Sequence, residues 1–372
     1  MALKRINWPE GRLVTLDVDS KILRETIPET LGDPARRKLQ VWLPHQYDQA
    51  AGRGLGKRFP VLFDLVGFLG AGPSHTNWRN LDENIPERVD RLIHAKKMGA
   101  TIVVFPDCYT ALGGNQYINS SAMGNYADHI TQELIPLVDR EFRTLASRLH
   151  RGCFGKSSGG YGAIIHGMKY SKYWGAVASH SGDAYFDFVY QNDWANVLTE
   201  LGKHRKPARV AGAVNVGKDE RGADTGMDDG RIKNFLAHVW KKEKPSDTEC
   251  HALMMIAMAA SYDANPKAPL GFHVPYNLET GEKIETRWKQ WQKHDPINLV
   301  TRYAANLKTL KGIFIDCGWR DQYNIHFGSR ILSKRLALAG VKHVYEEFDG
   351  THSGVDYRME KSLPFLYKCL KP

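Results

Sequence analysis

Two short, nearly unbroken apolar runs bounded by turn-forming residues limit what this chain can fold into. They are Pro60-Val61-Leu62-Phe63-Asp64-Leu65-Val66-Gly67 and Thr101-Ile102-Val103-Val104-Phe105-Pro106. A strand with one wet face alternates apolar and polar residues, whereas a run apolar at almost every position suits a strand covered on both faces, as in a parallel sheet. A helical pattern over 86–98 separates the two runs. The alternation continues with a helix over 126–142, a strand over 151–154, a helix over 159–170 and a strand over 174–179. Strand and helix in turn imply βαβ crossovers and an open, mostly parallel sheet with helices on both faces. Ahead of these, the segments 13–18 and 37–44 read as strands of an antiparallel edge.

After about residue 190 the pattern breaks. Residues 191–300 read as mainly helical, with the Met-rich stretch Ala252-Leu253-Met254-Met255-Ile256-Ala257-Met258-Ala259-Ala260 and a turn at Thr280-Gly281-Glu282. The βα pattern resumes with a strand over 310–316, a helix over 324–339, a strand over 343–348 and a last helix over 357–370. The expected organisation is a core in two parts, 1–190 and 301–372, carrying a helical insertion, 191–300. That insertion would cap the C-terminal strand edges, where open α/β sheets bind ligands.

Bulk composition narrows the classes of function. With 372 residues, 42% hydrophobic and 25% charged, the chain has the material for a large core and lacks the signature of disorder. Its net charge of +10 raises nucleic-acid binding. The basic stretches, 203–209 and 241–244, lack the interleaved aromatics of a strand-binding platform, so no specific nucleic-acid partner is expected; a basic rim attracting an anionic substrate is compatible with the same charge. Five dispersed cysteines without a CxxC pair argue against a disulfide framework or a zinc site. The start of the chain has no apolar core of a signal peptide, and no segment approaches a membrane span. A cytoplasmic protein is expected, and a homo-oligomer is compatible with the sequence.

The run Gly155-Lys156-Ser157-Ser158-Gly159 lies between an apolar strand and a helix. A serine on such a turn is held at strained dihedrals that expose its Oγ, and glycines two before and two after it let the two backbones pass closely. Gly155 and Gly159 frame Ser157 as the candidate nucleophile; centring on Ser158 would put Lys156 where a glycine belongs. The Gly155-Lys156-Ser157 end of a phosphate loop is excluded because His150 stands where that loop needs its first glycine. Ser158, at the helix N-terminus, offers its backbone N–H to an oxyanion.

In a fold of this kind the acid and then the histidine follow the nucleophile on loops after later strands. His352, in Asp349-Gly350-Thr351-His352-Ser353-Gly354 after the final strand, is the candidate base. Asp321 is the preferred acid, with Asp316 and Asp349 as alternatives. The second oxyanion donor should come from Gly67-Phe68-Leu69-Gly70, with the Phe68 N–H preferred and Gly67 or Leu69 as alternatives.

With these residues placed, the chain resembles the esterase D or putative-esterase family of α/β-hydrolases, a group that includes S-formylglutathione hydrolases, enterochelin esterases, feruloyl esterases and mycolyltransferases. The likeness covers roughly 37–190 and 300–370. It rests on Val41-Trp42-Leu43-Pro44, Phe105-Pro106-Asp107, the elbow around Ser157, Ser181-Gly182-Asp183, Asp316-Cys317-Gly318 with Asp321, and the loop around His352. It implies hydrolysis of a small-molecule carboxylic ester or thioester through an acyl-enzyme, without cofactor or metal, and agrees with Ser157, Asp321 and His352 as a triad. An acyltransferase using the same triad and a non-catalytic binding protein are the alternatives. Two departures alter the pocket wall: Val66 replaces the usual histidine of the oxyanion strand, and Lys156 stands before the serine where histidine is common. The long insertion resembles enterochelin-esterase-like proteins more than compact S-formylglutathione hydrolases.

Overall fold

A computed structural model of the chain describes residues 7–51, 56–205 and 229–372. The basic stretch expected at 203–209 lies outside the described residues from position 206 on, as do the first six residues of the chain and the part of the insertion over 206–228. Strands β1 (Arg12–Asp19), β2 (Arg36–Leu43), β3 (Val61–Leu65) and β4 (Ile102–Phe105) come first. A small hairpin of β5 (Asn119–Ser120) and β6 (Gly124–Asn125) follows, and then β7 (Arg151–Lys156), β8 (Ala176–His180), β9 (Gly312–Gly318) and β10 (Val344–Phe348). Eight of these form one sheet in the order β1-β2-β4-β3-β7-β8-β9-β10. The β1–β2 and β2–β4 pairs are antiparallel and every other pair in that sheet is parallel.

The apolar runs become central strands because both sheet faces are covered. Successive strand residues point to opposite faces. Leu62, Val103, Phe154, Ala178 and Phe314 pack with the helices Ile85–His94 and Met359–Leu370. Val61, Phe63, Cys153, Val177 and Ile313 face the other layer, where the helix Ser158–Lys169 lies along β7 and β8. β4 lies on one side of β3 and β7 on the other. The order of strands therefore reverses at the β3–β7 seam, and the loops leaving their C-terminal ends diverge to open a crevice there.

Local differences from expectation have physical causes. Short helices at Lys21–Thr26 and His45–Ala51 carry too little periodicity to announce themselves; the first is capped by Ser20, whose hydroxyl accepts the Leu23 N–H. The helix expected over 126–142 forms with a widened π-helical stretch, His129–Leu134, at its centre. Pro136, which has no N–H to give the preceding turn, stands two positions after the end of that stretch.

Between β8 and β9 the described residues form the helices Trp194–Gly202, Arg231–Val239, Asp247–Tyr262 and Glu285–Gln292. Tyr190, Trp194, Tyr262 and Trp288 each pack edge-on or stacked against Trp291, in one apolar cluster with the core on the Val61 and Phe63 face of the sheet. The next helix, Pro296–Lys308, runs across residue 300 and packs on Ser158–Lys169 and on Ile325–Leu338, in the layer covering the sheet. One carboxylate ties the segment after β8 to the start of the helix Pro296–Lys308. Asp295 accepts the N–H groups of Tyr185 and Phe186 at 3.1 and 2.8 Å and that of Ile297 at 3.2 Å. Replacing Asp295 with alanine strands those buried donors, a loss expected to lower stability by about 2–4 kcal/mol. Chemical denaturation should register that fall, and limited proteolysis should cut the 186–294 segment earlier than in the parent; unchanged behaviour in both would show that the tie contributes nothing.

Candidate active site

β7 passes into the helix Ser158–Lys169 through Ser157, whose backbone sits at φ 57° and ψ −124°. A side-chain-bearing residue with positive φ is strained unless its surroundings hold it. Here the Ser157 N–H donates to the His180 carbonyl at 2.9 Å, and the Ser157 carbonyl accepts the Tyr161 N–H at 2.8 Å. The flanking glycines are sterically required: a Cβ on Gly155 would stand 2.1 Å from the Leu65 carbonyl oxygen, and one on Gly159 only 1.7 Å from it. Ser158 opens the helix, so its N–H has no partner within the helix.

The loop after β3 meets the elbow at close range. A Cβ on Gly67 would lie 3.6 Å from the Cβ of Ser157. The Phe68 carbonyl accepts the Gly114 N–H at 2.7 Å, and the Val66 carbonyl accepts the Tyr117 hydroxyl at 2.7 Å. Both bonds anchor the loop from its carbonyl side. The Phe68 N–H takes no hydrogen-bond partner among the described residues.

His352 leaves β10 on the glycine-bearing loop and is nearly buried. Its Nδ1 lies 2.7 Å from Oδ2 of the buried Asp321, while Oδ1 of Asp321 accepts the Tyr323 N–H at 2.9 Å. The two alternative acids are engaged elsewhere. Asp316 pairs with His180 Nδ1 at 2.6 Å and accepts from Arg358 Nε at 2.8 Å; Asp349 accepts from Arg320 Nε at 2.9 Å on the surface. Ser157 and His352 line the same cavity of about 490 Å³, together with Phe68 and Lys156. No hydrogen bond joins the Ser157 hydroxyl to His352 among the described residues, the looser contact common in unliganded sites.

Several residues around this cavity carry no sequence signal. Gln322 accepts the backbone N–H of His352 at 2.9 Å, and the Tyr323 ring stands edge-on to the imidazole at 4.8 Å. Buried Gln116 donates from Nε2 to the Ser158 hydroxyl at 2.9 Å, and the same group lies 2.8 Å from the Met258 sulfur and 3.4 Å from Asp183. Only the motif Ser181-Gly182-Asp183 hinted at this network. The Met-rich helix divides its roles: Met254 lines the cavity, while Met255 and Met258 are buried. Trp288 and Trp291 are buried and stacked on each other, in the same apolar cluster as the core on one face of the sheet.

The family model described as "Putative esterase" matches residues 33–360. The chain belongs to this esterase family. Two Mycobacterium tuberculosis proteins, Esterase MT1326 of strain CDC 1551 / Oshkosh and Esterase Rv1288 of strain ATCC 25618 / H37Rv, are each 30% identical to it over 172 residues, 44% of this chain and 33% of theirs. The match thus spans about a third of the length of those curated relatives. Among solved structures, a ferulic acid esterase has a TM-score of 0.56 at 18% identity, covering 98% of this chain and 100% of its own. An S-formylglutathione hydrolase from Agrobacterium tumefaciens has a TM-score of 0.55 at 12% identity, covering 99% of each chain. At such identities the likeness establishes the fold of this esterase-family chain, the α/β-hydrolase fold. Among the described residues no helix is long and apolar enough to cross a membrane.

Asp183, 6% exposed on the cavity wall, accepts the Tyr190 hydroxyl at 2.7 Å. Burial is the chief cause that pushes its carboxyl up to about 6, with the neighbouring Asp321 adding to the rise. An unfolded aspartate titrates near 3.9. Between about pH 4 and pH 6 the unfolded chain has lost a proton that the folded chain keeps, so this group's contribution to stability falls as pH rises through that window. Asp183→Asn keeps an oxygen for Tyr190 and removes the charge. The variant should match the parent near pH 4 and exceed it above pH 6 by up to about 3 kcal/mol in denaturant unfolding; a variant less stable at pH 7 would contradict this assignment.

Proposed function

We propose that this chain is a carboxylic-ester hydrolase in which Ser157, His352 and Asp321 act as nucleophile, base and acid. The observation that carries the reading is the His352–Asp321 pair bordering the same cavity as a serine at a strained strand-to-helix turn. Membership of the esterase family supports it from an independent direction.

In the proposed cycle the Ser157 Oγ attacks the ester carbonyl and His352 takes the hydroxyl proton on Nε2. Asp321 holds the Nδ1 proton, which fixes the tautomer and stabilises the imidazolium. The oxyanion of the tetrahedral intermediate receives the N–H groups of Phe68 and Ser158. Each such donor is typically worth about 3–4 kcal/mol in the transition state. His352 then returns the proton to the departing alcohol, leaving Ser157 acylated. A water molecule deprotonated by His352 attacks the acyl-enzyme, releases the acid and restores the serine. A thioester would follow the same path with a thiol as the leaving group.

The test is turnover of p-nitrophenyl esters of graded acyl length by the parent and by Ser157→Ala. Activity should fall to background in the variant, and the length series reports the acyl space; equal activity in both proteins would overturn the proposal. Asp321→Asn should retain the fold and lose on the order of 10⁴ in kcat, because the asparagine favours the wrong imidazole tautomer. Retained near-ultraviolet circular dichroism separates that loss from misfolding.

A further inference from the structure

Lys156 precedes Ser157 directly and lines the cavity, yet its ammonium group forms no hydrogen bond or ion pair among the described residues. An ammonium group is a compact, strongly hydrated charge with three donors, and withdrawing it from bulk water without a partner is costly. Its surroundings do not offer one in contact. Asp356, a carboxylate on the same side of the cavity, is held by Arg79 Nη1 at 2.6 Å. Arg79 also lines the cavity; Nη1 alone makes its bonds, to Asp356 and to Asp82 at 3.4 Å, which leaves Nε and Nη2 without partners among the described residues. His75 is committed to the buried Asp64 through Nδ1 at 2.6 Å. Lys156 and Arg79 thus share Asp356 as the carboxylate of this part of the wall, while Asp82, the other acceptor of Arg79, does not line the cavity.

The remaining acidic groups of the cavity come from other elements. Asp183 follows β8 and Asp247 opens the helix Asp247–Tyr262, and neither forms an ion pair with Lys156. His251, on that same helix, is paired with Asp193 at 3.0 Å. Burial draws the Lys156 ammonium below the ordinary lysine range, with Asp356 and Asp321 opposing that fall. A group already short of water gains more from an anion than an exposed lysine does.

We infer that Lys156, assisted by Arg79, binds a carboxylate on the substrate, so that the preferred esters carry an anionic group besides the ester itself. The inference rests on the esterase reading and adds the substrate class to it. The cavity volume leaves room for a drug-sized molecule that reaches from Ser157 to such a subsite. A charge-assisted hydrogen bond made in a partly dry site favours the anion over its neutral ester. Arginine in place of Lys156 would keep the charge, and glutamine would keep a donor without it.

The test compares matched pairs in each protein, so that the ratio within a pair is the readout. On the acyl side the pair is p-nitrophenyl hydrogen glutarate and p-nitrophenyl methyl glutarate. On the alcohol side it is 4-carboxyphenyl butyrate and 4-(methoxycarbonyl)phenyl butyrate. The parent should favour the anionic member of one pair by roughly 10- to 100-fold in kcat/KM; which pair responds tells where the carboxylate sits. Lys156→Gln should bring that ratio close to one, Lys156→Arg should retain it, and rising salt should erode it. Binding of the corresponding amides, in which an amide replaces the aryl ester, to the Ser157→Ala protein gives the same ratio by calorimetry without turnover. Selectivity unchanged by Lys156→Gln, or absent from the parent in both turnover and binding, overturns the subsite. Anion-selective binding by a protein that cleaves none of the esters supports the subsite and counts against the hydrolase reading alone.

Discussion

The carbonyl oxygen of Leu65 is the constraint on which the site depends. It ends β3 against the backbones of Gly155 and Gly159, at a distance no side chain could share. That approach locks β3 to the turn at Ser157 and brings the loop at Gly67 and Phe68 beside the serine. A hydrolytic site of this kind needs its nucleophile and its oxyanion donors within about 3 Å of one reacting carbonyl. Such tolerance is set more reliably by two touching backbones than by side chains, which have rotamers to choose among.

The other half of the site is held by hydrogen bonds and burial. Asp321 uses one oxygen to order its own loop through Tyr323 and the other to meet His352, whose backbone is fastened in turn by Gln322. The neighbouring acid Asp316 is equally buried but is held by Arg358 and His180. In the proposed cycle, chemistry and architecture are therefore divided between two carboxylates five residues apart. Removing Asp316 would leave the Arg358 guanidinium and the His180 ring without their shared acceptor, a defect in the sheet layer rather than in the cavity.

Much of the fold was legible because burial on both faces erases the alternation of a half-wet strand, so β3 and β4 announce themselves as apolar runs. The tight turn at Ser157 was legible because close backbone approach demands glycine on both sides of it. The choice among Asp316, Asp321 and Asp349 was not decided by spacing, since all three flank the same two strand ends and only their three-dimensional partners differ. Gln116 lay beyond reach for a related reason. It is a polar residue in a glycine-rich loop, and its meeting with Ser158, Asp183 and Met258 is created by elements up to 142 positions away. The short helices after β1 and β2 were missed because six or seven residues hold too few turns for periodicity to register.

The clasp made by Asp295 has a consequence for how the chain tolerates change. With Tyr185 and Phe186 bonded to residue 295, the intervening hundred or so residues leave and re-enter the core at one point. The entropy of closing such a loop grows only with the logarithm of its length. The core therefore registers the presence of the join far more than the size of what hangs from it. As far as loop closure is concerned, segments between these two points can lengthen or shorten at little cost while the sheet and its strained serine remain as they are.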